Sequence, residues 1–125
     1  MNSKVFLVAR ILLGLFVIVF GANKLYPFLP APEEMPDGLM TYFTALTTSK
    51  TLLLVGLVEV VSGIAFILNK YGALMALILM SVSVCAVLFH ITMAPDTIAP
   101  ALALLILNIV VLVGYKDRYK DILRA

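Results

Sequence analysis

The sequence predicts an all-α integral membrane protein, one four-helix bundle spanning residues 1–125 with both termini cytoplasmic. Three observations predict it. Hydrophobic residues make up 63% of the chain and the mean hydropathy is strongly positive, which leaves too little polar surface to cover a soluble globule. Four apolar stretches, residues 5–22, 51–68, 71–89 and 98–114, approach the roughly 20 residues needed to cross a bilayer core of about 30 Å. Basic residues collect at one set of span ends: Lys4, Arg10, Lys70, Lys116, Arg118, Lys120 and Arg124, against Lys24 and Lys50 at the other. The positive-inside rule then places the termini in the cytoplasm of a multi-pass protein, expected in a bacterial inner membrane.

The first span follows Lys4 and could be read as a secretory signal, but its apolar stretch is longer than a typical signal core. Phe20, Gly21, Ala22 and Asn23 also offer no small-x-small cleavage site, so the span is expected to be retained. Arg10, Gly14, Val17, Gly21 and Lys24 recur on one helical face, and the two glycines let a neighbouring helix come close. Residues 25–50 form the outer loop. Pro27, Pro30, Pro32 and Pro36 forbid a helix in its first half. After Gly38, the apolar and aromatic residues Met40, Tyr42, Phe43 and Leu46 suit either a short interfacial helix over 39–48 or an ordered loop over the bundle. In both cases the segment lids the outer mouth. Glu33, Glu34, Asp37 and Asp96 make that side acidic, while the tail after Tyr115 is basic.

In the second span Gly56, Glu59 and Gly63 share a face, with Ser62 beside them. Asn69 and Lys70 leave room only for a tight hairpin, so the second and third spans are antiparallel neighbours. The third span lines up Gly72, Ala76, Leu79, Ser83, Ala86 and His90. Pro95 and Pro100 break the chain before the fourth, where Pro100 is tolerated in the first helical turn. Ala101, Leu104, Asn108 and Tyr115 fall together on that last span.

Glu59 is the costliest residue in this layout, since a carboxylate at mid-membrane is disfavoured by roughly 2.5–3.5 kcal/mol on insertion scales. Helical rise puts Arg10 about 9 Å, Glu59 about 16 Å and Asn108 about 12 Å from the basic ends of their spans. An intramembrane polar site of Arg10, Glu59 and Asn108 is therefore expected. It serves either as a structural ion pair or as a proton-accepting carboxylate beside a polar ligand. A second group, Asn23, Lys24, His90 and Asp96, gathers near the outer span ends; one histidine and one aspartate make no metal site, and His90 is expected to be an interfacial hydrogen-bonder. Cys85 is the only cysteine, which excludes an intramolecular disulfide and a C-x-x-C relay and suits a small packing residue. The short basic tail beside a span points to anionic lipid headgroups and not to nucleic acid.

The stretch from Arg10 to Gly14, the run Gly21-Ala-Asn-Lys24-Leu25 and the pattern Gly56-x-x-Glu59-x-x-x-Gly63 resemble the DoxX family of small four-span membrane proteins. The order of features is similar too: Pro-rich outer loop, acidic second span, third span ending at His90, basic tail. The resemblance implies that Arg10, Lys24 and Glu59 occupy landmark positions lining the inner face. It also implies a role accessory to redox metabolism, because related DoxD proteins look like subunits of a thiosulfate:quinone oxidoreductase. The expectation is an accessory subunit of a membrane redox complex that binds a quinone or other lipid-like molecule near Glu59, with electrons coming from a membrane or soluble redox partner protein, since the chain has no flavin, haem or nucleotide motif. Two alternatives stand beside it: a proton-linked or solute carrier working as a homo-oligomer, and a non-catalytic scaffold that holds a partner through its tail.

Overall fold

Each apolar stretch becomes a helix whose ends are set by identifiable backbone devices. The computed structural model describes residues 1–30 and 35–125, so Pro32, Glu33 and Glu34 of the acidic loop lie outside the described residues. Helix α1 (Ser3–Leu25) begins where the Asn2 side chain accepts from the Lys4 amide at 2.8 Å. Helix α2 (Asp37–Thr48) opens directly after Pro36, slightly ahead of the start the sequence suggests. Helix α3 (Thr51–Leu68) follows Lys50, which holds a left-handed φ of 66°. It ends at Asn69, also left-handed, with Lys70 N donating to Ala65 O and Asn69 N to Phe66 O, the paired bonds of a Schellman turn.

Helix α4 (Gly72–Met93) runs a turn beyond the expected end of the third span and stops ahead of Pro95, which opens a 3-10 turn over Pro95–Thr97. Helix α5 (Ala99–Gly114) carries Pro100 in its first turn and measures about 24 Å by helical rise. A second 3-10 turn, Lys116–Tyr119, folds back on the bundle and buries Tyr119.

Helices α1, α3 and α4 are long and apolar enough to cross a membrane, and α5 is a shorter apolar helix. They close in a ring, α1 against α3, α3 against α4, α4 against α5 and α5 against α1. Leu13, Val17, Phe66, Leu79, Leu104 and Val111 fill the centre. Leu54, Leu88 and Ile106 point outward, as lipid-facing residues do. Both termini lie at one end of the ring and α2 at the other; these are the terminal end and the loop end below.

On α2, Leu39, Phe43 and Leu46 are half-buried at spacings of four and three, while Met40, Thr41 and Thr44 stay exposed. Tyr42 stacks on Phe89 of α4 with centroids 5.1 Å apart, and Phe43 meets the same ring edge-on at 5.4 Å. The aromatic half of the segment between the first two apolar stretches is thus a helix fastened to the loop end of α4.

Candidate functional site

Helices α1 and α3 touch through their backbones. A Cβ at Gly21 would lie 2.8 Å from Gly56 O, and one at Gly56 would lie 3.0 Å from Gly21 O. One turn pair further along, a Cβ at Gly14 would lie 3.0 Å from Gly63 O and one at Gly63 would lie 2.6 Å from Gly14 O. The contacts are reciprocal and fix an antiparallel register. Only glycine permits this separation, which brings the two polar side chains beside the seam together.

Lys24 Nζ stands 2.6 Å from Glu59 Oε1 in a contact ion pair without directed hydrogen-bond geometry. The Glu59 side chain is 2% exposed and that of Lys24 26%, so the pair is closed on the carboxylate side and partly open on the ammonium side. The same glycines seat it: the Glu59 Cβ lies where a side chain at Gly21 would go, and the Lys24 Cβ lies where one at Gly56 would go.

The expected union of Arg10, Glu59 and Asn108 does not form. Side chains on a helix lean toward its N-terminus, so on antiparallel helices Lys24 leans toward the terminal end and Glu59 toward the loop end, and they converge. Arg10 leans away from Glu59. Its Nη1 donates to Phe66 O, with Ile67 O at 3.4 Å, so a cation supports the last carbonyls of α3, where the helix dipole favours positive charge. Asn108 belongs to the opposite side of the ring. Its Oδ1 accepts from Ser83 Oγ at 2.7 Å and its Nδ2 donates to Ala76 O at 3.1 Å, joining α5 to α4. Asn108→Leu is expected to cost about 1 kcal/mol, because Ala76 O keeps its helical bond while Ser83 loses its acceptor. Chemical unfolding in detergent reads this, with Ser83→Ala adding almost nothing once Asn108 is gone; full additivity would rule the pairing out.

A family model, DoxX, matches residues 5–92, from the start of α1 to the last turn of α4. The chain belongs to the DoxX family. Comparisons with curated proteins and with solved structures find no match. The match takes in Arg10, Lys24 and Glu59 of the DoxX chain and leaves α5, with Asn108, outside.

The four residues expected to gather at the loop end of this DoxX protein take separate tasks. Asn23 Oδ1 accepts from the amides of Phe28 and Leu29, each at 2.8 Å, and turns the chain as it leaves α1. Lys24 reaches into the α1–α3 seam instead of toward the mouth. His90 Nδ1 donates to Ala94 O at 3.1 Å and lies 3.2 Å from Thr97 Oγ1, bracing the turn after α4. Asp96 is exposed. Among the described residues no cluster of three or more His, Cys, Asp or Glu side chains could hold a metal ion.

At the terminal end, Tyr115 OH donates to Asn69 Oδ1 at 2.5 Å and Tyr119 OH donates to Ala73 O at 2.8 Å, tying the tail to the α3–α4 hairpin. Burial pushes the Tyr115 phenol up despite Arg10 and Arg118 nearby, so it stays a donor at neutral pH. The sequence carried a signal for the Lys24–Glu59 pair that depth alone missed: both residues flank the glycines that meet, and both lean along the seam toward each other.

Proposed function

We propose that this DoxX protein is an accessory membrane subunit of a redox complex, in which the Lys24–Glu59 pair exchanges protons with a quinone-class carrier reduced by a partner protein. The observation that carries the reading is the buried carboxylate 2.6 Å from a partly exposed ammonium, held by glycines in a membrane helix seam. Charged groups at this depth are costly, and they commonly mark ligand or proton pathways. Reduction of a quinone consumes two electrons and two protons. With one cysteine and one histidine in the chain, the electrons come from the partner, and Lys24 and Glu59 supply a hydrogen-bond donor and a proton-exchanging carboxylate. The excess of Lys and Arg at the terminal end supports cytoplasmic termini, and on that reading the pair belongs to the outer half of an inner membrane.

The test is native mass spectrometry of the protein purified from its own membrane, with organic extraction of whatever it retains. A quinone is expected with wild type, and at least about tenfold less with Glu59→Gln, the factor that losing a hydrogen bond to a charged group implies. An empty wild-type bundle, or equal recovery from the variant, would overturn the reading. A second reading, in which the pair only pins α1 to α3, is favoured by the reciprocal glycine contacts; it expects Glu59→Gln to alter stability and leave the copurifying molecules unchanged.

A further inference from the structure

We infer that the seam between α1 and α5 holds one acyl chain of an anionic phospholipid, with its headgroup phosphate on Lys4. The inference does not depend on the redox reading. A groove of about 440 Å³ runs along the outside of that seam, lined by Val5, Val8, Ala9, Leu12, Leu107 and Val110, with Lys4 at its mouth. Ala9 is buried at its floor, where a methyl group is too small to fill the space between the helices. Val5, Val8 and Leu12 are about half exposed, and apolar walls open on the outside of a membrane helix suit hydrocarbon. From Lys4 to Leu12 the groove descends about 12 Å by helical rise, against about 15 Å for half a hydrocarbon core, the depth reached by a chain from one leaflet.

Charge complementarity selects the headgroup. Among the described residues no carboxylate pairs with Lys4, and the first turn of α1 carries no acidic residue. Four other cations at this end are already engaged, and Lys70 and Lys116, though unpaired among the described residues, do not line the groove. Lys120 lies 3.7 Å from Asp117, Arg124 lies 3.0 Å from Asp121, Arg118 sits over the Tyr115 ring and Arg10 is bonded to α3 carbonyls. The tail that the sequence offers as the lipid-binding element is therefore partly self-neutralised. Lys4 is the cation placed over an apolar groove.

Delipidated full-length protein in detergent, titrated with dioleoyl phosphatidylglycerol or dioleoyl phosphatidylcholine and read by native mass spectrometry, tests this. Wild type is expected to retain the first bound phosphatidylglycerol about fivefold better than phosphatidylcholine, the contribution of one surface cation. Lys4→Gln should remove that preference, weakening phosphatidylglycerol far more than phosphatidylcholine, whose choline already balances its phosphate. Val8→Trp, which fills the groove from an exposed position, should weaken binding of both lipids. A Lys116→Gln/Arg118→Gln variant should keep the preference. Equal retention of the two lipids by wild type, a preference that survives Lys4→Gln, or a preference abolished by the tail variant would each overturn the proposal. The quinone measurement is unaffected by any of these outcomes, because it reads Glu59 at the α1–α3 seam.

Discussion

Replacing Gly63 with leucine is expected to drive α1 off α3 and to destabilise the bundle by about 3 kcal/mol or more, at or beyond the upper end for overpacked interiors. The added Cβ alone would stand 2.6 Å from Gly14 O and would collide with the Ile18 side chain. Backbone on the partner helix cannot swing aside as a side-chain tip can, so the whole helix must move. Gly38, whose added Cβ would meet nothing within 4 Å, supplies the contrast, and Gly38→Leu should leave stability within about 0.5 kcal/mol. Far-UV circular dichroism during SDS titration separates the two. An unfolding midpoint for Gly63→Leu equal to that of wild type would show that the close seam is not what holds α1 in place.

The second large effect is asymmetric. Lys24→Met strands a carboxylate that is 2% exposed, and the expected loss is about 3 kcal/mol, the low end for breaking a buried pair. Glu59→Gln strands an ammonium that is already 26% exposed and sits on a flexible stem near the loop end, so the cation can withdraw to the headgroups at smaller cost. Replacing both by methionine should recover most of the stability lost in Lys24→Met, since removing a buried pair together avoids the uncompensated charge. Equal losses from the two single variants, or a double variant no better than Lys24→Met, would argue that the pair contributes little to holding the seam.

Long apolar stretches made the four helices of the ring readable, because in lipid the backbone must satisfy its own hydrogen bonds within a helix. The stripes were readable as well. Arg10, Gly14, Val17 and Gly21 on α1, and Gly56, Glu59, Ser62 and Gly63 on α3, are buried as their spacing implies. Partner choice was not readable from depth alone. Rise along an axis locates Cα atoms, whereas the meeting of Lys24 with Glu59 depends on the lean of two long side chains on antiparallel helices. Asn108 illustrates a different limit: its depth suits Glu59, but the order of helices around the ring gives it to Ser83 and Ala76. Helix α4 passes the boundary its sequence suggests for a local reason, since His90 reads as a polar end but braces the final turn through Ala94 O.

The Lys24–Glu59 pair also imposes an order on biogenesis. Lys24 leaves the ribosome about 35 residues before Glu59, an interval of roughly 2–7 seconds at ordinary rates of synthesis. Through that interval the first helix carries a cation with no counter-ion and an unmatched pair of glycines, in a bilayer where neither has a partner. An unpaired lysine this near a helix end keeps to the headgroup layer, so the ion pair closes only once the acidic helix has been inserted beside the first.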